Sequence, residues 1–277
     1  MTDLVPAIGS FLSFGLNATA TKNSINKVGR QKAIVYNYAL LAITLLAGAF
    51  VFRLDLTMPQ QLLPLYLLEI AIGAGAVIAY YKAMDLGRTG SILALSQAYV
   101  LLVLLAGVVL LGERLSAAQV LGSLVILSAA LAISMPKDGR LEGGTAFLPI
   151  TIAGWAAFYS IIKVFVEAMG PYSATVALES GIFVIVALFY LAQGKDLSLP
   201  DRKAWPSLGV QLATSCLGAV FYSLSVLTIG AGLTAATGSG ILIVSSIASY
   251  FWLREKLETR TYLAIAAMVI GLVLIAV

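Results

Sequence analysis

The chain has 277 residues, of which 60% are hydrophobic and only 11% charged, and its mean hydropathy is +0.99. Soluble domains carry about 25% charged residues, so this composition excludes a soluble globular fold and points to an all-α polytopic membrane protein. One cysteine, Cys216, and no histidine rule out an internal disulfide and remove the commonest base and metal ligand; the formal charge of +4 sits in short loops and reads as membrane orientation, not nucleic-acid binding.

A membrane-crossing helix needs about 20 mostly apolar residues. Ten segments answer that description in chain order: 4–21, 33–52, 62–81, 92–111, 117–133, 147–166, 174–191, 205–227, 233–253 and 261–277. The N-terminus lacks a basic leader and enters the first segment directly, so no cleaved signal peptide is expected. That first segment, with Asn17 and several hydroxyls, is the weakest candidate. The polar stretch 135–145, with Pro136, Lys137, Asp138, Gly139, Gly143 and Gly144, reads as a connector between a five-helix unit at 1–134 and a second at 146–277. Loops elsewhere are too short to hold an extramembrane catalytic domain. Function is therefore expected among the helices, with no enzymatic activity, no metal and no cofactor.

The two units repeat one another at an offset of about 142 residues: Pro64 matches Pro206, Tyr80 matches Tyr222, Gly90 matches Gly232 and Glu113 matches Glu255. Five is odd, so the second copy enters the bilayer from the opposite side, the inverted repeat that builds alternating-access transporters. The charges agree. Of the 17 lysines and arginines, all but Arg53, Arg114 and Lys163 fall in odd-numbered loops. The positive-inside rule then puts those loops in the cytoplasm and both termini outside. The expected location is the plasma (inner) membrane.

A carboxylate in mid-bilayer costs about 2.5–3.5 kcal/mol on insertion scales, so each needs a reason. Glu69 in the third segment and Glu179 in the seventh are the two, and both are candidates for proton or cation coupling. At the repeat offset Glu69 pairs with Gln211 and Asn37 with Glu179. Tyr36, Tyr38, Tyr66, Tyr80, Tyr81, Tyr99, Trp155, Tyr159 and Tyr222 crowd the same segments, and rings beside an acid can hold an ammonium group. Trp205, Trp252 and Tyr262, near segment ends, read as interfacial anchors. Gln97 and Ser239 are repeat partners that could line a pathway. Glu113 and Glu255, at segment ends, read as caps of the helices that follow them, and Lys163 as a side chain snorkelling to the interface.

Tyr80, Gly87, Ala94, Leu111-Gly112-Glu113-Arg114-Leu115 and Gly122 resemble the EamA repeat of the drug/metabolite transporter superfamily. The second copy, Tyr222 through Leu253-Arg254-Glu255-Lys256-Leu257 and Gly271, is similar but has Arg254 in place of Gly112, and Ala153–Tyr159 resembles the opening of the family's second repeat. The resemblance implies ten helices in two inverted five-helix repeats around a central cavity, lined by the first, third, fourth, sixth, eighth and ninth spans. Carried onto this sequence it favours Asn17, Glu69, Tyr80, Gln97, Tyr99, Trp155, Tyr159, Gln211, Tyr222 and Ser239 as substrate-binding residues, and Glu179 less so. It implies movement of small metabolites, often amino acids, outward. The buried acids suit proton coupling or cation capture, the expected cargo is a small polar metabolite, foremost an amino acid or related amine, and a monomer or homodimer is expected. Uptake of a quaternary amine such as choline, and flipping of a lipid-linked headgroup, are the alternatives.

Overall fold

Proline in the first turn and glycine just beyond the last divide the apolar runs into helices. The computed structural model describes residues 2–134, 143–252 and 259–276, and among these the regular structure is all helical. The helices are α1 (Val5–Val28), α2 (Arg30–Val51), α3 (Leu63–Leu86), α4 (Thr89–Ser96), α5 (Tyr99–Val109), α6 (Ala117–Ser134), α7 (Leu148–Met169), α8 (Pro171–Ala192), α9 (Trp205–Ile229), α10 (Ala231–Gly238), α11 (Ile241–Trp252) and α12 (Thr259–Ala276). Proline opens α1, α3, α7, α8 and α9. Single glycines join α1 to α2, α7 to α8 and α9 to α10. Gly29, Gly170 and Gly230 have φ of 77°, 81° and 83° with extended ψ, a region essentially closed to other residues.

These helices make ten spans in two inverted five-helix repeats. Seven of the spans are long and apolar enough to cross a membrane on those grounds alone. α1 is not among them, because Ser10, Ser13, Thr19, Thr21 and Ser24 give it a polar face. All five are buried, and α1 packs against α9 and α11. Polar side chains turned into the protein let such a helix sit in a bilayer.

The sequence suggests a continuous fourth and ninth span, but both are interrupted in the middle. α4 passes to α5 through a turn in which Gln97 N donates to Ala94 O (3.2 Å) and Ala98 N to Leu95 O (3.2 Å). α10 passes to α11 the same way, Ser239 N to Ala236 O (3.2 Å) and Gly240 N to Thr237 O (3.0 Å). These i→i+3 bonds are tight 3₁₀ turns, and they lie at equivalent positions of the two repeats, since Ser239 follows Gln97 by 142 residues. These bonds keep the amides of Gln97, Ala98, Ser239 and Gly240 paired within the bundle, as the bilayer requires.

The register is not uniform. Gly170 follows Gly29 by 141 residues, and the connection 52–62 is one residue shorter than its counterpart 193–204. Within the first two helices of each repeat, Glu179 is thus equivalent to Tyr38, and Asn37 to Leu178. The pairing of Asn37 with Glu179 is off by one residue; that of Glu69 with Gln211 stands, because α3 and α9 begin 142 residues apart. α6 and α12 pack on each other at the side of the bundle. There a Cβ on Gly122 would stand 2.6 Å from Gly271 O, so the two backbones touch. Outside the spans, Lys32 Nζ lies 2.9 Å from Asp196 Oδ2, and its hydrogen bond holds that carboxyl down at about 2. Trp205, Trp252 and Tyr262 are exposed, as interfacial anchors require. Glu255 and the connector residues 135–142 lie outside the described residues.

The joints separate backbone strain from crowding. Gly170→Ala meets no atom within 4 Å, yet is expected to lower stability by about 1–3 kcal/mol through its φ alone. Gly209→Ala, equally uncrowded but helical, should be neutral or stabilising by about 0.4–1 kcal/mol. Chemical denaturation of the two purified variants checks both; equal losses would remove the conformational argument.

Candidate functional site

A cavity of about 120 Å³ lies at the centre of the bundle, walled by α1, α2, α3, α7, α8 and α9 and by the two interrupted spans. Among the described residues, none from α6 or α12 lines it. α2 and α8, which the resemblance leaves out, add Asn37 and Tyr38 and, from α8, Glu179.

One wall is a chain of amides and hydroxyls. Asn17 Nδ2 donates to Ser215 Oγ (2.8 Å), Gln211 O (2.9 Å) and Thr214 Oγ1 (3.1 Å). Ser215 Oγ donates to Asn37 Oδ1 (3.2 Å), and Gln211 Nε2 to Tyr81 OH (2.6 Å) and Thr21 Oγ1 (3.1 Å). These bonds tie α1, α2, α3 and α9 together and fix the amides that face the cavity.

The opposite wall is aromatic. Trp155 packs between Tyr80, with ring centroids 4.7 Å apart, and Tyr99, at 5.6 Å. Tyr159 packs between Tyr99, at 5.2 Å, and Tyr222, at 4.5 Å. The Tyr222 hydroxyl and Gln97 Oε1 are buried without a hydrogen-bond partner. Among the described residues Glu179 is the one ionisable acid or base other than tyrosine on the wall; it makes no hydrogen bond or ion pair with any of them and is within electrostatic reach of Tyr38, Tyr81 and Tyr159.

Of the residues singled out from sequence, Asn17, Tyr80, Gln97, Tyr99, Trp155, Tyr159, Tyr222 and Glu179 meet at this cavity. Gln211 stands behind Asn17 and holds it. Ser239 is buried in the 3₁₀ turn of the ninth span with no partner for its hydroxyl. Glu69 is fully buried and off the wall, with neither carboxylate oxygen bonded. Tyr38, Tyr81 and Ser215 join the wall without having been picked out as binding residues. The Tyr38–Glu179 equivalence was the signal for the first of them, hidden by the one-residue change of offset.

Glu113 does something the sequence does not announce. It caps not the following helix, α6, but the half-helix α10 of the other repeat: Ala231 N donates to Oε1 (2.7 Å) and Gly232 N to Oε2 (2.9 Å). Lys163 Nζ of α7 completes the cluster at 3.1 Å from Oε1, so that lysine is paired rather than snorkelling freely. Gly107, Gly230 and Gly232 make the room, since a Cβ on any of them would stand within 2.6–2.9 Å of a carboxylate oxygen.

Comparison with known families shows where a chain with this all-helical fold, inverted repeat and central cavity belongs. The model of the EamA-like transporter family matches residues 4–135 and again 144–277. The chain belongs to the EamA-like transporter family. A comparison with curated proteins gives no match. Among solved structures, one crystal structure described only as that of a protein is similar over 99% of this chain and 96% of its own, with a TM-score of 0.77 and 17% identity. At that identity the likeness speaks for the fold alone. Both halves of this EamA-like chain match the family model, which agrees with the repeat and with a multi-pass membrane protein.

Removing the Glu113 carboxylate leaves Lys163 and two helix-end amides without an acceptor. Glu113→Ala should cost about 3 kcal/mol, the low end for breaking a buried pair because Lys163 is part-exposed. Adding Lys163→Met should recover part of the loss but not all, as the amides of Ala231 and Gly232 stay unpaired. A double-mutant cycle by chemical denaturation measures this; strict additivity would mean that the ion pair contributes nothing.

Proposed function

We propose that this EamA-like transporter carries small organic cations, amines and quaternary ammonium compounds, by alternating access. The observation behind this reading is the charge of the cavity wall: among the described residues a single carboxylate, Glu179, shares the lining with five rings in tilted and edge-on contact, and no lysine or arginine lines the cavity. A cation over an aromatic face gains about 0.5–2 kcal/mol per ring, more when desolvated. Glu179 supplies the opposite charge, and Asn17, Asn37 and Gln97 offer amides to a hydroxyl or amine on the same molecule. A zwitterionic amino acid fits less well, because its carboxylate would be buried without a cation. Lys22 and Lys163 are occupied elsewhere, the first by Met84 O (2.6 Å) and Gly87 O (2.9 Å), the second by Glu113.

The cavity volume sets the scale of the cargo. An engineered apolar cavity of about 150 Å³ holds benzene, so about 120 Å³ suits an occupant of a few heavy atoms. The paired 3₁₀ turns in the fourth and ninth spans give each repeat a hinge at the level of the cavity. The distribution of basic loops supports a plasma (inner) membrane protein with both termini outside.

Thermal unfolding of the purified protein tests the substrate class. Choline or tetramethylammonium at about a hundred times its dissociation constant should stabilise by about 2.7 kcal/mol. Glu179→Gln should abolish the shift, and Tyr159→Leu should reduce it while Trp205→Leu leaves it intact. Stabilisation by neutral amino acids but not by the ammonium compounds would sink the cation reading, and a response confined to lipid-linked headgroups would replace it with flipping.

A further inference from the structure

Glu69 sits two turns into α3, fully buried, and is not on the cavity wall. Neither of its carboxylate oxygens has a hydrogen-bond partner. On α3 the nearest titratable side chain is Tyr66, whose hydroxyl donates to Ala177 O (3.1 Å). The titratable and charged side chains on the helices packed against α3 are Lys22 and Lys27 of α1, Arg30, Lys32, Tyr36 and Tyr38 of α2, Tyr159, Lys163 and Glu167 of α7, and Tyr172, Glu179 and Tyr190 of α8. None makes a hydrogen bond or ion pair with Glu69: Lys22 and Lys163 are held as described, Tyr172 donates to Leu45 O (3.1 Å), and Glu179 belongs to the cavity.

An anion so fully buried has no counter-charge at ion-pair distance among the described residues, and burying an unpaired charge is among the costliest things a fold can do. The equivalent position in the second repeat shows what the site accepts. Gln211 has nearly the same shape, is equally buried, and is neutral, its amide bonded to Tyr81 and Thr21. A protonated Glu69 is the isostere of Gln211. A metal cation is a poor alternative, because hard cations need several converging oxygens and Glu69 has no polar neighbour at hydrogen-bond distance.

In an inverted repeat the two halves exchange conformations when the carrier changes facing. Glu69 then takes the surroundings that Gln211 has here, with Ser223 and Ile162 as the equivalents of Tyr81 and Thr21. Ser223, now bonded to Thr175 Oγ1 (2.7 Å), brings a hydroxyl to a carboxyl that has none in this state. The acid is thus housed differently in the two facings, which is the condition for a ligand to bias a conformational equilibrium. We propose that Glu69 is a proton-binding site separate from the cation site at Glu179, and that the proton it carries is coupled to the exchange of the two repeats. This rests on the carrier reading. It differs from a mechanism in which proton and cargo compete for one carboxylate.

Two measurements test it. The first needs no cargo: unfolding of the unliganded protein is followed from acidic to alkaline pH. Glu69→Gln should match the wild type at acidic pH and exceed it at alkaline pH, where ionisation strains the wild type alone; a Glu69→Gln protein less stable at acidic pH overturns the proposal. The second uses proteoliposomes with radiolabelled choline. Glu69→Gln should retain choline exchange but lose accumulation driven by a pH gradient, whereas Glu179→Gln should lose both. Unchanged gradient-driven accumulation in Glu69→Gln, or accumulation that requires sodium, rejects the coupling role. Absence of choline exchange in the wild type fails the cation reading only, and the first measurement still decides whether Glu69 carries a proton.

Discussion

Hydrocarbon offers no hydrogen bonds, and everything in this molecule follows from having to satisfy its own peptide groups. Continuous helix is the default answer. Where the chain departs from it inside the bundle, at Gln97–Ala98 and Ser239–Gly240, it does so by tightening to i→i+3 bonds that keep the amides occupied. Both departures lie at the middle of the protein, against the cavity. The single-residue joints at Gly29, Gly170 and Gly230 obey the same rule from the other direction: they reverse the chain in one step and so expose the least unpaired backbone.

The same economy sorts three acids within the bundle, Glu69 fully buried and Glu113 and Glu179 partly so, into three chemical situations. Glu113 is satisfied outright, by two backbone amides and a lysine. Glu179 faces a cavity where an incoming cation can meet it. Glu69 has neither partner nor access, and neutrality is the remaining way to bury it. On the proposed reading, one residue type serves as a structural clamp, a receptor for charge and a store for a proton, and the difference is made by what each carboxyl can reach.

How much of this was legible in the sequence depended on the range of the signal. Spans, repeat and loop charges are local or additive, and Pro64/Pro206, Tyr80/Tyr222 and Gly90/Gly232 align without gaps. The aromatic wall was legible as a set of residues because the rings cluster in a few segments. The rotation of a wholly apolar helix was not. α3 is apolar on all sides, so nothing in its pattern shows that Tyr80 and Tyr81 face the cavity while Glu69 does not. The 3₁₀ turns escaped because Ser-Gln-Ala-Tyr is as compatible with helix as its flanks. The partners of Glu113 lie 118 and 119 residues away in the other repeat, a distance over which no spacing rule operates.

That long-range contact constrains how the carrier can move. Glu113 follows α5, Lys163 belongs to α7 of the second repeat, and Ala231 and Gly232 open α10, so one carboxylate binds three elements from both halves. α10 and α5 also pack more extensively than their symmetry equivalents α4 and α11. The two ends of the bundle are therefore packed differently, which the proposed alternating-access reading takes as one facing of the carrier. With α10 clamped at its first turn, the compliant point in the ninth span is the turn at Ser239–Gly240, where hydrogen bonds are fewer and poorer. A change of facing must either break the Glu113 cluster or carry it as a rigid block while α10 pivots on α11. The clamp's ion pair and two amide bonds in a part-buried site make the pivot the cheaper route. On the proposed reading this puts the moving joint beside the cavity, within reach of cargo at Glu179.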